Sequence, residues 1–348
     1  MNQSHTQPLP ASRAATRSER ILFVLNEKEW ELFLPRFSSS DMDALGGTWV
    51  DTQTLRPGDW LRILEEERPT VLVTAWSSPS LPEEWVNSVD LPLRYVCHIT
   101  GSVRKIVSRA LISRGVVVTN WGSVISHTIA EHAMLLVLGT LRNVPAWRAN
   151  TGPDCDDGSA FEKMQTFRTR SLRGKRVGLH GFGAIARELV HMLRPFQVDL
   201  AAWSPHVPRA LYEEFGVTQM PSLEALFSRS DVLIECEGLT PATRASVSKE
   251  VLRLLPEDAV FVNVGRSAVT DEEALAAMGD AGRLRVGLDV FTPAAGTMQR
   301  GLLSPHIAGP TWDTYPLCGD FALENVDKYL RGETPEAVMS LEVYDRST

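Results

Sequence analysis

The sequence predicts an α/β protein made of two successive parallel-sheet units. Short β-branched runs alternate with helical stretches, which implies parallel strands with helices on both faces. The 348 residues leave room for two domains of ~150 residues each. A long amphipathic segment and an irregular stretch separate an earlier strand series from a later one.

Residues 1–19 mix Ser, Pro, Arg and Gln without an apolar run and read as a loose tail, not a signal peptide. Strands are expected over 20–25, 47–52, 70–75, 94–99 and 116–120, with helices over 60–67 and 103–114 between them. Residues 124–143 carry Ile125, Ile129, Ala133 and Leu136 at helical spacing, with Ser123 or Ser126 as the cap. Residues 151–170 read as an irregular loop. Strands follow at 177–180, 199–203, 232–235, 259–264 and 285–290, with a helix running to Leu193 after the first.

Composition narrows the function classes. Hydrophobic residues at 43% and charged residues at 22% exclude wholesale disorder. The net charge of -8 argues against nonspecific nucleic-acid binding, while a small anion held by local arginines stays open. Cys97, Cys155, Cys236 and Cys318 lie far apart and read as free thiols of a reducing compartment, so a cytoplasmic location is expected. The most apolar stretch, 133–138, is far shorter than the ~20 residues of a membrane span, and no membrane partner is expected. His127, His132, His180 and His191 lack ligand spacing, and the acidic run near Cys155 lacks the alternating pattern of a calcium loop. No metal is expected.

The string Val177-Gly-Leu-His-Gly-Phe-Gly-Ala-Ile-Ala186 reads as strand, Gly-x-Gly-x-x-Ala turn, helix. Gly181 permits the tight turn, Gly183 leaves room for a pyrophosphate, and Ala186 lets helix and strand pack closely. The backbone through Phe182, Ala184 and Ile185 opens a helix whose free N–H groups and partial positive charge suit phosphate. An NAD site places an acid at the end of the second strand, ~20 residues on. Ser204 stands there instead, with His206 and Arg209 just beyond, so NAD and NADP both stay open.

Three later segments carry candidate chemistry: Phe261-Val-Asn-Val-Gly-Arg-Ser267, Gly287-Leu-Asp-Val-Phe291 and Ser304-Pro-His-Ile-Ala-Gly309. Arg266 follows a strand end, where open α/β sheets bind ligands, and its guanidinium can hold a carboxylate bidentately. His306 sits in a Pro-His turn and can exchange a proton near neutral pH.

Taken with Asn120-Trp-Gly, Ile129-Ala-Glu131 and Leu239-Thr-Pro-Ala-Thr243, these segments stand in the order of a known family. Over roughly residues 70–335 the chain resembles the D-isomer-specific 2-hydroxyacid dehydrogenases, which include phosphoglycerate dehydrogenase, glyoxylate/hydroxypyruvate reductase and formate dehydrogenase. The resemblance implies a Rossmann-like cofactor domain over 122–309, inserted into a flavodoxin-like substrate domain formed by 20–121 and 310–348. It implies a cleft between the two, and a homodimer built around the long helix.

It also implies site roles. Arg266 binds the carboxylate and carbonyl of a 2-ketoacid or 2-hydroxyacid, and His306 is the acid/base. Asp289 meets the nicotinamide carboxamide, and Thr128 and Thr240 lie beside the cofactor. The turn Thr100-Gly101-Ser102-Val103 offers backbone N–H groups to the substrate carboxylate. From their own positions at strand ends, Trp76 and Trp121 either wall the pocket or fill core volume.

The pattern breaks in two places. The family has a glutamate five residues after the aspartate of Asp-Val-Phe, where it favours the imidazolium form of the histidine and orients its ring. Here that position is Ala294. Three outcomes are open: another acid substitutes (Glu235, Glu237 or Asp313), turnover is slow, or the chain is a regulatory or scaffold protein that binds cofactor without turnover. The second break is Cys236-Glu-Gly-Leu-Thr240, which replaces the family's His-x-Pro-Leu-Thr. Cys236 is either a reactive or a buried inert thiol.

Overall fold

The computed structural model describes residues 19–147, 160–205 and 207–346. The tail over 1–18, the acidic run near Cys155 and His206 lie outside the described residues. The chain divides into two compact units, the first comprising 1–122 with 316–341 and the second 123–315 with 342–348. The return to the first unit thus comes at Pro316, later than the Pro310 read from the sequence, and the last residues rejoin the second unit.

The first unit holds a five-stranded sheet, β1 (Ile21–Val24), β2 (Gly47–Val50), β3 (Val71–Thr74), β4 (Tyr95–His98) and β5 (Val117–Thr119), in the order β2-β1-β3-β4-β5. All pairings are parallel. Strands β1, β3 and β4 are buried at every residue, which explains why apolar residues run along them up to the polar ends Thr74 and His98. The order is that of the flavodoxin-like doubly wound sheet.

The second unit holds β6 (Arg176–His180), β7 (Asp199–Trp203), β8 (Thr218–Gln219), β9 (Val232–Glu235), β10 (Ala259–Asn263), β11 (Leu284–Leu288) and β12 (Leu302–Leu303). Their order is β12-β11-β10-β9-β6-β7-β8, again all parallel. The strand order reverses between β6 and β9, which makes the C-terminal ends of these two strands the switch point where such sheets bind ligands. One core cluster joins the long helix Ser126–Leu141 and the helix Ala184–Leu193 to the sheet through Ala133, Leu136, Val137, Leu189 and Val190. A second cluster holds Leu226, Phe227, Leu252 and Leu275 from the helices Leu223–Arg229, Lys249–Leu254 and Glu272–Asp280. Among the described residues no helix is long and apolar enough to cross a membrane.

Three sequence expectations fail locally. Neither Ser123 nor Ser126 caps the long helix, whose cap position is Ile125 with no side-chain cap. The helix read over 103–114 is only Arg109–Ser113, because a turn at Val103 accepts Ile106 N–H and Val107 N–H, and Ser108 then caps a new start at Leu111 N–H. The stretch read as irregular contains the helix Ala160–Phe167. Phe161, Met164 and Phe167 recur at helical spacing there, a pattern only eight residues long and set beside a Gly- and Asp-rich run.

His98, the last residue of β4, shows how the first sheet tolerates a polar strand end. It is buried between Thr74 Oγ1 (2.9 Å from Nδ1) and Thr100 Oγ1 (2.7 Å from Nε2). Burial pushes its pKa down to about 4. The folded state therefore refuses a proton that the unfolded chain accepts below about pH 6.5. The stability tied to neutral His98 is complete above that pH and is lost as pH falls toward 4. Urea unfolding of wild type and His98→Gln should show the wild-type stability falling by about 3 kcal/mol relative to the variant between pH 7 and 4. Parallel pH dependences would refute the assignment.

Candidate active site

The glycine turn follows β6 at the switch point. Gly181 takes φ +88°, and a Cβ there would come within 2.7 Å of Glu237 N, so the turn admits no side chain. At Gly183 a Cβ would meet nothing within 4 Å, so open space faces the start of the helix Ala184–Leu193. No side chain caps that helix. Phe182 turns inward and stacks on Tyr212 with ring centroids 4.6 Å apart, Ala186 is fully buried, and Ile185 packs on the core. The turn therefore presents backbone to the open space.

The strand ends on either side are polar and buried. His180 and Glu235 are both fully buried, with the ring Nδ1 hydrogen-bonded to a carboxylate oxygen, and Trp203 stacks on the imidazole at 5.5 Å. Burial disfavours charge on His180, but the adjoining carboxylate outweighs it, and the pKa stands above its ordinary value. Glu235 Oε1 also accepts Glu237 N–H at 2.8 Å. Ser204, at the end of β7, donates its hydroxyl to Glu237 Oε2 at 2.8 Å. Burial and the two flanking carboxylates push the Cys236 thiol well above its ordinary value, which disfavours the thiolate. Thr240 and Thr243 close a small hydroxyl-bonded turn, with Thr243 Oγ1 accepting Thr240 N–H at 2.7 Å.

The two candidate catalytic residues occupy turns at the same edge of the sheet. Buried Asn263 staples the first: its Oδ1 accepts Gly265 N–H (2.9 Å) and its Nδ2 donates to Arg266 O (3.2 Å). Desolvation draws the Arg266 guanidinium below its ordinary pKa, but an arginine remains charged at neutral pH. Buried Asp289, after β11, holds the second turn. Its Oδ1 accepts from Ser304 Oγ (2.7 Å) and Ile307 N–H (2.9 Å), and its Oδ2 from Ala308 N–H (3.0 Å). His132, on the long helix, adds a contact from its Nε2 to Ser304 Oγ at 2.7 Å. His306 N–H donates to Asp289 O at 3.0 Å, and His306 itself is exposed with φ +57°. Asp289 N–H in turn donates to Asn263 O at 3.0 Å. The Arg266 and His306 turns thus end strands two places apart, about 10 Å along the sheet edge.

In the first unit, Thr100 Oγ1 is committed to His98, and a Cβ on Gly101 would strike the Trp121 ring at 2.7 Å. Asn120 Nδ2 donates to Gly101 O at 2.6 Å, Val103 is buried and Ser102 is exposed. Trp76 is half-exposed and meets Trp121 edge-on at 6.3 Å.

A family model described as D-isomer specific 2-hydroxyacid dehydrogenase, NAD binding domain, matches residues 134–308. The chain belongs to this family. It is 26% identical over 307 residues to the D-3-phosphoglycerate dehydrogenase of Methanocaldococcus jannaschii, covering 81% of this chain and 57% of that protein. It is 28% identical over 239 residues to the glyoxylate reductase of Pyrococcus furiosus, covering 66% of this chain and 70% of that protein. The chain thus spans about half the length of the phosphoglycerate dehydrogenases it matches. Its fold is shared with the holo form of Rhodotorula graminis D-mandelate dehydrogenase, with a TM-score of 0.77 at 19% identity over 92% of this chain and 97% of that one.

Two residues expected beside the cofactor make local bonds in the structure. Asp289 is 1% exposed with both carboxylate oxygens bonded within the His306 turn, so it positions that turn. Thr128 is buried and donates its hydroxyl to Ile125 O at 2.8 Å, the usual local bond of a threonine near a helix start. Ala294 is exposed. Among the described residues no carboxylate bonds the His306 ring. Glu235 is paired to His180, Glu237 to Ser204, and Asp313 accepts from Thr311 Oγ1 at 2.7 Å. The positioning residues Asn263, His132 and Ser304 carried no separate signal in sequence. Only the spacing Asn-x-Gly at a strand end pointed to an Asx turn.

Replacing Asp289 with Asn turns an amide N–H₂ toward donors that now meet a carboxylate. Urea unfolding should register a loss of about 2–3 kcal/mol. The amides of Ile307 and Ala308 should exchange faster with solvent. Unchanged exchange would show that the carboxylate does not order the turn.

Proposed function

We propose that this protein is an NAD(P)-dependent oxidoreductase that interconverts 2-ketoacids and D-2-hydroxyacids. The observation that supports the reading is the chain of hydrogen bonds from Asn263 through Asp289 to the backbone of His306, which holds the Arg266 and His306 turns at one sheet edge. The same C-terminal edge holds the glycine turn.

The turn suits a dinucleotide. The open space at Gly183 and the uncapped N–H groups that open the helix Ala184–Leu193 accept a pyrophosphate. Gly181, Phe182, Gly183, Ala184 and Ile185 would hold it through backbone, with Ser204 and Thr240 beside it. When bound, the nicotinamide supplies or receives a hydride.

The guanidinium of Arg266 binds the substrate carboxylate in a bidentate fork and polarises the neighbouring carbonyl. His306 gives its ring proton to the carbonyl oxygen in reduction and takes it back from the hydroxyl in oxidation. Asn263 and Asp289 fix the two turns from below. By family resemblance the protein works as a cytoplasmic homodimer.

A second reading, a cofactor-binding regulatory or scaffold protein with weak turnover, is favoured by the alanine at position 294 and by the imidazole that no described carboxylate touches.

NAD(P)H consumption against a panel of 2-ketoacids, with cofactor binding measured in parallel, separates the two. For an oxidoreductase, Arg266→Gln should cut kcat/KM by about 100-fold. His306→Gln should cut it by about 100-fold or more. Binding without consumption favours the second reading. Ala294→Glu should speed reduction and carry its basic limb to higher pH, because an added carboxylate favours imidazolium. A variant with the parent's rate and profile would refute that account of the alanine.

A further inference from the structure

We propose that Glu237 supplies the carboxylate that binds the adenosine ribose hydroxyls, and that it selects NAD over NADP. The inference rests on the glycine turn being a dinucleotide site. In NAD sites the acid ends the second strand of the unit, whereas here that strand, β7, ends in Trp203 and Ser204. The carboxylate arrives from another strand. β9 and β7 flank β6 on opposite sides, so the bond from Ser204 Oγ to Glu237 Oε2 (2.8 Å) carries the Glu237 side chain across the end of β6, over the glycine turn.

This crossing is built, not incidental. Glu237 N–H is anchored on Glu235 Oε1 at 2.8 Å, and Glu235 is itself fixed by buried His180. Gly238 N–H donates to Glu237 Oε1 at 3.0 Å. From the other side Tyr212 donates its hydroxyl to Ser204 O at 3.4 Å. The bare Gly181 leaves the Glu237 backbone its place. Both Ser204 and Glu237 are half-buried, so their polar atoms are held yet reachable.

A ribose diol can donate both protons to such a carboxylate in charge-assisted hydrogen bonds. A 2′-phosphate, with about −1.5 to −2 charges, would be repelled by it. The nearest described cation on the following helix, Arg209, is already paired with Glu213 at 2.7 Å.

Calorimetric titration of the full chain with NADH and with NADPH, without substrate, tests this. Wild type should bind NADH at least about 10-fold more tightly than NADPH, and Glu237→Gln should shrink that ratio about 10-fold. Ser204→Ala, which frees the carboxylate without removing it, should move the ratio the same way by less, and it carries the test if Glu237→Gln does not fold. A wild type that binds NADPH as well as NADH overturns the inference and leaves the dinucleotide reading standing. So does a Glu237→Gln protein that keeps the parental ratio or gains equally on both cofactors. A wild type that binds neither overturns the reading and the inference together.

Discussion

The candidate site depends on one buried carboxylate. Asp289 follows β11 and supplies acceptors for backbone N–H groups of the next turn. By accepting Ile307 N–H, Ala308 N–H and the Ser304 hydroxyl, it holds the turn in which His306 takes a left-handed conformation, uncommon outside glycine though less so for histidine. His132 reaches the same cluster from the long helix, so the packing of that helix on the sheet and the aim of the His306 turn are mechanically joined.

The same device recurs at other strand ends. Asn263 closes the Arg266 turn, His98 joins Thr74 to Thr100 in the first unit, and the His180–Glu235 pair closes the switch point. A parallel sheet covered on both faces leaves its strands apolar and pushes polar chemistry to their C-terminal ends. Loops leaving those ends carry N–H and C=O groups that lose water, and short buried polar side chains satisfy them. The charge of each group follows from its neighbour. His98 meets two hydroxyls and stays neutral, whereas His180 meets a carboxylate and is drawn toward the charged form.

Much of the fold was legible in the sequence because its signals are local. The β-branched runs of β1, β3, β4, β6 and β10, the helical spacing of Ile125, Ile129, Ala133 and Leu136, and the Gly-x-Gly-x-x-Ala turn are all set within a few residues. The segments holding Arg266, Asp289 and His306 could be picked out by their order. The role of Asp289 could not, because its partners are fifteen to nineteen residues away and meet it only when β12 pairs with β11. The break at Val103 is not legible for a similar reason, since a helical pattern cannot reveal a backbone drawn into a turn.

What the sequence determined by itself is the alternation of strand and helix, the glycine turn and the identity of the groups able to bind an anion or move a proton. The tertiary structure decided which of those groups are spent on holding the fold and which are left to face a ligand. It turned Asp289 and Thr128 inward and left His306 exposed, and it carried Glu237 across β6 to Ser204. The physical reason is that hydrogen-bond partners in a parallel sheet come from strands far apart in the chain. The use of a polar side chain is therefore fixed by strand order, which no local pattern records.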